Sequence, residues 1–334
     1  MTQTPAEFSD LDIPTKTEQD ASRETLLVDG HVDLPYYMRA QARETLLSEL
    51  HDGPFTLEKA KQARIGIFCT ALYCEDKFDG EASFSHFQEI LRFTLDHFDR
   101  ITLIRTKGDI ESVAQDPRRM GTLFLLENAD ALAQDPSYIG RLKENGIAIV
   151  GLTHAGKNRL ADGNGVSYSS GLTHKGLEVV HALEDCGVLI DVAHLHPECF
   201  WELLDVFRGT LLTSHTGVRN ICEMPRNIDL DQAKEIVERK GMIGVTFNPE
   251  MLSPAQKADV EQVFIHFDCL VQEFGPDCIG VGSDFCGFDL VTEGLEDITG
   301  LSRLSDLMLA HGYGESAVHR IMGLNWLRLY KTLY

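Results

Sequence analysis

The sequence predicts a closed (β/α)8 TIM barrel, an α/β fold in which eight parallel strands alternate with helices. Short runs rich in Val, Ile and Leu recur along the chain, as expected for parallel strands that are buried on both faces. Amphipathic segments with helical spacing fill the intervals between these runs. The length of 334 residues suits such a barrel with insertions.

Eight short apolar runs are predicted to be the strands of the barrel. An open, doubly wound sheet is the structural alternative, but no GxGxxG motif follows the first run. The dinucleotide-binding form of that fold therefore has no support. The predicted strands are Leu26–Asp33, Ile65–Leu72, Thr122–Asn128, Ala148–His154, Val188–His194, Thr210–His215, Met242–Phe247 and Cys278–Phe285.

The amphipathic segments between these runs predict the helices. Their apolar residues recur with the spacing of one helix face. Gly187 and Gly241 come directly after two of the segments, and we predict that these glycines end their helices. The clearest examples are Thr173–Cys186, Pro197–Phe207, Leu230–Lys240 and Ala258–Phe274.

The sequence predicts one catalytic domain with a short arm before it. No internal repeat, low-complexity tract or Pro/Gly-rich linker divides residues 23–334, which are predicted to form a single barrel domain. Residues 1–22 are polar and acidic, lack the apolar stretch of a secretory signal, and are predicted to be a flexible arm. The eight cysteines form no CxxC pair, and several lie in apolar runs, as Cys69 does. We expect reduced core thiols and a cytoplasmic protein.

The charge balance argues against two classes of partner. The chain has 52 Asp and Glu against 30 Lys and Arg, which gives a net charge of -22. Such an acidic surface repels nucleic-acid phosphates and anionic lipid, so we expect neither nucleic acid nor a membrane as a partner. The net charge says little about a small substrate, because the electrostatic potential inside a cleft is set by the residues that line it.

Histidines and carboxylates fall at the carboxyl ends of six of the eight predicted strands. Enzymes with this fold have their active sites at that end of the barrel. His31 and Asp33 are two residues apart on the first strand, so their side chains share a face. The other strand-end residues are Glu127, His154, His194, His215 and Asp284.

Each of these residues also has an ordinary structural role open to it. A single histidine at a strand end is more often a hydrogen-bonded core or loop residue, and a carboxylate such as Asp33 often caps the next helix. Their convergence favours a metal site, because zinc prefers imidazole and carboxylate ligands and a cation relieves the repulsion between carboxylates. The nine other histidines are predicted to be structural: His51, His86, His97, His174, His181, His196, His266, His311 and His319.

Six segments match, in order, the motifs of one known family. DGHVDLP (29–35) resembles its opening metal motif, and GLTHKGLEVVHALEDCGVLIDVAH (171–194) resembles its central strand-helix-strand unit. SHTGVRNICEMPRNIDLDQAKEIV (214–237), GVTFNPEML (244–252) and IGVGSDFCGFD (279–289) resemble later segments, and GLNWLRLY (323–330) resembles its C-terminal helix. Over roughly Val28 to Tyr330 the chain thus resembles the membrane (renal) dipeptidase family, peptidase family M19, a group of amidohydrolase-type metallohydrolases.

The resemblance implies a set of metal ligands. Members of that family are (β/α)8 barrels with two zinc ions, and a homodimer is the oligomeric state that the resemblance suggests. Carried over residue by residue, His31 and Asp33 would bind one zinc ion, and His194 and His215 would bind the other. Glu127 would bridge both ions, which would share a hydroxide that attacks the peptide bond of a small dipeptide.

The resemblance also assigns substrate contacts. His154 would contact the substrate and stabilise the oxyanion, Arg226 would hold the substrate carboxylate, and Asp284 would shuttle the proton. Dipeptides with a D-residue on the carboxyl side are included, because relatives often tolerate them. Without the resemblance, the favoured role of Arg226 is a surface ion pair with Asp229 or Asp231.

The chain departs from the family pattern at two places near the predicted ligands. Relatives usually have Glu-Gly where this chain has Glu127-Asn128-Ala129, and DFDG where it has Asp284-Phe285-Cys286-Gly287. Neither change removes a predicted ligand, so we expect a reshaped pocket rather than a different reaction. Cys286 is either a soft extra ligand or a passive thiol at the rim, and the passive role is favoured.

Two other functions compete with a dipeptidase. Other barrel metallohydrolases, such as lactonases, phosphotriesterases and deaminases, often have His-x-His on the first strand and a carboxylated lysine on the fourth. Here the first strand has His-x-Asp and the fourth ends in His154, with Lys157 beyond it, which disfavours them. A catalytically silent barrel with a biosynthetic-accessory role is the third hypothesis. It predicts the loss of a ligand, and none is lost.

Overall fold

The computed structural model, which describes residues 26–41 and 45–334, contains a closed parallel β-barrel. Eight strands follow one another round it in chain order, and a two-residue strand that was not predicted lies beside the third of them. The backbone N–H of Asp33 donates to the carbonyl of Phe285 at 2.9 Å and closes the barrel. The predicted fold is confirmed. The strands are β1 (Leu27–Val32), β2 (Ile65–Tyr73), β3 (Thr102–Leu103), β4 (Gly121–Glu127), β5 (Ile147–Gly151), β6 (Leu189–Asp191), β7 (Leu211–Thr216), β8 (Met242–Val245) and β9 (Ile279–Val281).

Helices fill the intervals between the strands. The four predicted examples are confirmed within about two residues at each end, and α6 and α8 begin at side-chain caps supplied by Thr173 and Asp229. The α-helices are α1 (Leu34–Ala40), α2 (Leu57–Gln62), α3 (Ser83–His97), α4 (Lys107–Gln115), α5 (Asp130–Gln134), α6 (His174–Asp185), α7 (Pro197–Val206), α8 (Leu230–Glu238), α9 (Pro249–Leu252), α10 (Val260–Phe274), α11 (Leu301–Ala310), α12 (Glu315–His319) and α13 (Asn325–Tyr330).

Three predicted strands are wrong at their carboxyl ends. The fifth was expected to reach His194 and the eighth Phe285, but β6 ends at Asp191 and β9 at Val281. His194 and Asp284 each have a φ of 65°, which is left-handed backbone that cannot continue a strand. The fourth predicted strand also stops early, at Gly151, so His154 lies in the loop that follows. The polar residues therefore sit just beyond the strands, at the rim of the barrel.

The two glycines predicted to end helices have different roles. Gly187 follows α6 with a φ of 61°, as a C-terminal glycine does. After α8 the left-handed residue is Lys240, with a φ of 59°, so the prediction for Gly241 is wrong. A Cβ at Gly241 would lie 1.8 Å from the carbonyl oxygen of Leu211, so this glycine is needed for close packing against β7.

An apolar cluster fills the barrel away from the rim. It joins residues from seven barrel strands to α13, and strands on opposite sides of a barrel can contact one cluster only through the interior. Gly30 and Gly280 make room for the ring of Trp326, whose Nε1 donates to the carbonyl of Val281 at 2.8 Å. We call this set the interior cluster; it includes Val28, Ile67, Cys69, Leu123, Leu125, Ile149, Leu189, Leu212, Met242, Trp326 and Tyr330.

The predicted arm, residues 1–22, lies outside the described residues, and the division of the chain at that point stays a prediction. Among the described helices, none has the length and apolar character that a membrane crossing requires. All eight cysteines are free thiols, and five of them are buried.

Candidate metal centre and active site

Histidine and carboxylate side chains converge at the rim. The Nε2 atom of His31 lies 3.2 Å from Oδ2 of Asp33 and 3.7 Å from Oε2 of Glu127. On the other side, Nε2 of His194 lies 2.9 Å from Oε1 of Glu127 and 3.2 Å from Nε2 of His215. Ligand atoms of His31, Asp33 and Glu127 form one group within 4.8 Å of one another, and those of Glu127, His194 and His215 form a second. The five predicted metal ligands are therefore brought together.

The electrostatics of the cluster fit a cation. Burial and the charge of Asp33 raise the pKa of Asp284 well above its usual value, and burial also raises that of Asp33. A Cβ at Gly287 would lie 2.5 Å from Oδ1 of Asp284 and 2.6 Å from Oδ2 of Asp33, so only glycine leaves these two carboxylates room to face each other. Carboxylates packed in this way repel unless a positive charge lies between them.

The histidines respond to the same surroundings. Burial lowers the pKa of His194 and of His215 well below the usual value, so both rings are neutral and can act as ligands. Burial acts in the same direction on His31, but the charge and hydrogen bond of Asp33 outweigh it and raise this pKa to about 10. Burial opposes ionisation of Glu127, yet its hydrogen bond with His194 and the positive charge of His31 hold its pKa well below the usual value.

A second layer of buried polar groups supports the cluster. Oγ of Ser214 contacts Nδ1 of His31 at 3.0 Å and Nδ1 of His215 at 2.8 Å. Oδ1 of Asp191 accepts hydrogen bonds from the backbone N–H groups of Ala193 and Ser214, both at 2.9 Å. Asp29, on β1, also accepts a backbone hydrogen bond, from the N–H of His31 at 3.2 Å. Groups of this kind orient metal ligands.

His154 lies beside the cluster and is held by a carboxylate. Its Nδ1 contacts Oδ2 of Asp76 at 3.1 Å, and the hydroxyl of Tyr73 lies 3.4 Å from the same nitrogen. Burial by itself lowers the pKa of His154, but the hydrogen bond to Asp76 and the charge of Glu127 outweigh it and raise this pKa. The ring is thus oriented and biased toward a positive charge, which suits the stabilisation of an oxyanion.

Arg226 comes from the loop after β7 and does not make the surface ion pair that was its alternative. Asp229 instead pairs with Arg219, at 3.3 Å, and caps α8. One guanidinium nitrogen of Arg226 donates to the carbonyl of His215 at 3.1 Å. The group lines the same cavity as the cluster, where the opposite charge that acts on it most strongly is that of Asp284.

Two side chains fix the loop that carries Arg226. His266, fully buried on α10, accepts from the N–H of Val218 at 2.9 Å and contacts the carbonyl of Leu252 through Nε2 at 3.0 Å. Nδ2 of Asn227 donates to the carbonyl of Met251 at 2.8 Å. Both residues tie the β7 loop to the segment around α9.

One cavity of about 510 Å³ joins these groups, a size that suits a small ligand. Seven of the eight predicted site residues line it, and the eighth, His31, lies buried beneath. Tyr36, Tyr73, Met224 and Met251 supply apolar wall, so the cavity combines a charged floor with apolar sides.

The departures from the family pattern have structural explanations. Asn128 has a φ of 64°, a conformation that glycine adopts freely and asparagine tolerates better than most residues. Its Nδ2 also donates to Oδ1 of Asp76, at 3.2 Å, and so supports the partner of His154. Cys286 is buried in the wall of a neighbouring cavity and belongs to none of the ligand groups found among the described residues, which agrees with a passive thiol.

Three further predictions concern the alternative roles of Lys157, His196 and Asp33. Lys157 pairs with Asp162 at 3.3 Å and is more than half exposed, so it does not take the place of a carboxylated lysine. His196 accepts from the N–H of Glu198 at the start of α7, as expected for a helix start. Asp33 precedes α1 but makes no side-chain cap there, so it is free to face His31.

Sequence interpretation missed four supporting residues: Tyr73, Asp76, Asp191 and Ser214. Asp191 and Ser214 lie in segments that had been singled out, three residues before His194 and one before His215, so a search for polar neighbours of the ligands would have found them. Asp76 has no such signal, because it is 78 residues from its partner His154.

Comparisons with known proteins identify the family of the chain. A family model described as "Membrane dipeptidase (Peptidase family M19)" matches residues 15–333. Dipeptidase verJ of Clonostachys rogersoniana is 25% identical over 323 residues, which are 91% of this chain and 83% of that protein. An uncharacterized dipeptidase of Schizosaccharomyces pombe is 27% identical over 328 residues, 92% of this chain and 80% of that protein.

A solved structure supports the fold. The metallopeptidase from Rhodobacter sphaeroides, crystallised with a phosphinate mimic of the dipeptide L-Ala-D-Ala, superposes with a TM-score of 0.82. It is 22% identical, and the match covers 92% of this chain and 99% of that one. The resemblance drawn from the sequence motifs is confirmed. Because the family model matches nearly the whole chain, the chain belongs to the membrane dipeptidase family, peptidase family M19, and is a metallo-dipeptidase.

Proposed function

We propose that this enzyme uses two zinc ions to hydrolyse small dipeptides, and that its substrates include dipeptides with a D-residue on the carboxyl side. The observation that carries the proposal is the position of Glu127. Its Oε1 lies 2.9 Å from Nε2 of His194, and its Oε2 lies 3.7 Å from Nε2 of His31. One carboxylate thus faces two sets of ligands, as a bridging ligand must. His31 and Asp33 would hold one ion, and His194 and His215 the other.

The reaction follows from the groups around the cavity. A pair of divalent ions held by these residues would supply an activated water at neutral pH and would polarise the carbonyl of the substrate. Asp284 accepts the proton of the attacking water and returns it to the leaving amine. His154, oriented by Asp76, stabilises negative charge on the carbonyl oxygen. Arg226 binds the carboxylate of the dipeptide with its planar guanidinium.

The metal count tests the role of Glu127. Elemental analysis of protein purified without chelators should give about two zinc ions per chain, as a two-metal site requires. A well-folded, saturated preparation with a single ion would contradict the bridging role.

Turnover tests the substrate class. The zinc-loaded enzyme should hydrolyse a panel of L-Xaa-L-Yaa and L-Xaa-D-Yaa dipeptides, and should be inactive on lactones and phosphotriesters. Hydrolysis of the esters with no turnover of any dipeptide would favour another class of barrel metallohydrolase.

A further inference from the structure

Ser214 contacts two proposed metal ligands that would belong to different ions. Its Oγ lies 3.0 Å from Nδ1 of His31 and 2.8 Å from Nδ1 of His215. The two rings are 3.7 Å apart at their centroids, and all three residues are buried. The third histidine of the cluster, His194, lacks this contact, and its Nδ1 has no hydrogen-bond partner among the described residues.

Asp191 holds the backbone of Ser214 in place. Its Oδ1 accepts two backbone hydrogen bonds, from the N–H groups of Ala193 and Ser214, both at 2.9 Å. The position of the Ser214 side chain between the two rings is therefore fixed by buried neighbours.

The hydroxyl of Ser214 can support the same tautomer on both rings. A serine hydroxyl has one proton and two lone pairs, so its oxygen can accept one hydrogen bond from each ring. The Nε2 atoms of His31 and His215 are turned toward the ligand groups, 3.2 Å from Oδ2 of Asp33 and 3.2 Å from Nε2 of His194 respectively. A ring that binds a metal ion through Nε2 has its proton on Nδ1, and at both histidines that proton faces the oxygen of Ser214.

We propose that Ser214 is a positioning residue that sets the tautomer of one ligand of each zinc ion and so couples the two metal positions. The proposal rests on the two-metal function proposed above. It predicts that removal of this single hydroxyl weakens both positions together, although neither ion is bound by Ser214.

The backbone around Ser214 is built for this contact. Ser214 and His215 are consecutive, and in a regular strand their side chains would point to opposite faces. The pairing of β7 with β8 shifts register between Thr213 and Thr216, which breaks that alternation. A Cβ at Gly244 or Gly282 would lie 1.9 or 1.8 Å from the carbonyl oxygen of Ser214, so glycine is needed both in β8 and directly after β9.

The test compares Ser214→Ala with Thr213→Val, which removes a hydroxyl from the adjacent position of the same strand. Nitrogen-15 NMR of histidine-labelled, metal-free protein reports the tautomer of His215. We expect a proton on Nδ1 in the parent and in Thr213→Val, and its loss or a mixture of tautomers in Ser214→Ala. Zinc affinity, measured by chelator competition, should fall about 10- to 100-fold at both positions in Ser214→Ala alone.

Three results would overturn the proposal: an unchanged His215 tautomer in Ser214→Ala, unchanged zinc affinity, or a loss confined to one of two positions. Ser214→Thr restores the hydroxyl and should recover tautomer and affinity; if threonine does not fit, the comparison of Ser214→Ala with Thr213→Val decides. A parent protein that binds one zinc ion would contradict the two-metal function, and the tautomer in metal-free protein would still test the role of Ser214.

Discussion

The interior cluster and the rim lie on the same strands but are built in opposite ways. In the interior, Trp326 and Leu125 are fully buried among apolar neighbours, and glycines adjust the space around the tryptophan ring. At the rim, a few residues further along, Asp33, Glu127 and Asp284 are nearly as buried, yet they bring like charges together. The interior stabilises the barrel. The rim lowers that stability, because its like charges repel one another until a cation or a substrate binds there.

Backbone conformation shows the same contrast. Asn128, His194 and Asp284 follow barrel strands with left-handed φ values of 64° to 65°, although none of them is glycine. No member of the interior cluster has a positive φ. Strain of this kind is found at functional sites and persists where the surrounding structure imposes it. We therefore expect substitutions at the rim to change activity, and substitutions in the interior to change stability.

The largest expected effect is at Asp284. Asp284→Asn keeps the shape of the side chain but cannot accept a proton, so we expect kcat to fall by about 10²- to 10⁴-fold. The next helical segment begins only at Ile298, so a helix cap offers no other explanation for this aspartate. Metal content and melting temperature should be preserved, and kcat, metal analysis and thermal unfolding measure the three quantities.

Asp289→Asn is the control for this prediction, because Asp289 is exposed on the same loop outside the active-site cavity. It should retain the kcat of the parent. Near-normal turnover of Asp284→Asn with full metal content would remove Asp284 from the mechanism and would break the contrast between rim and interior.

Trp326→Ala tests the other side of the comparison. It empties the largest fully buried side chain of the interior cluster and removes the hydrogen bond to Val281, so we expect the free energy of unfolding to fall by about 3–5 kcal/mol. The kcat of the molecules that remain folded should change little. Trp201→Ala is the control, since Trp201 is 41% exposed; it should shift stability by less than about 0.5 kcal/mol. An equal loss in both variants would contradict the importance of the interior cluster.

The sequence predicted most of what depends on local pattern. Apolar runs located every barrel strand, and the polar residues at the ends of six runs located the cluster. The strand ends that precede His194 and Asp284 were not predicted, because a left-handed conformation in a residue other than glycine leaves no trace in composition. Ser214 could have been identified as the polar neighbour of His215, but its contact with His31 could not, because the two are 183 residues apart and only strand closure brings them together.

Arg226→Met tests the binding of the substrate carboxylate separately from the catalytic step. Hydrogen bonds to charged groups contribute about 1.5–3 kcal/mol, so loss of the guanidinium should lower kcat/KM for dipeptides by about 10- to 100-fold. Most of the loss should appear in KM. Arg219→Met, on the same loop but paired with Asp229, should have a small effect. The parent should prefer free dipeptides to their C-terminal amides, and equal cleavage of both would show that Arg226 does not bind the carboxylate.

The smallest expected effect sharpens the comparison at the boundary between the two regions, where His266 ties the rim loops to α10. Burial lowers the pKa of His266, and its neutral ring accepts from Val218. An unfolded histidine has a pKa of about 6.5, so on acidification the unfolded chain binds this proton first. The stability that the neutral ring contributes is therefore complete above about pH 6.5 and is lost as pH falls toward the folded-state pKa.

His266→Gln isolates this dependence, because an amide has both an acceptor for Val218 and a donor for Leu252 but does not titrate. Urea unfolding of metal-free protein at pH 8 and pH 5 should show a smaller loss of stability in the variant than in the parent. The difference cannot exceed about 1.4 kcal/mol per pH unit for one proton. His181→Gln, at an exposed position on α6, should follow the parent. If His266→Gln loses stability as steeply as the parent, then His266 is not protonated on unfolding in this range. The pH dependence of the free energy of unfolding would then come from other groups.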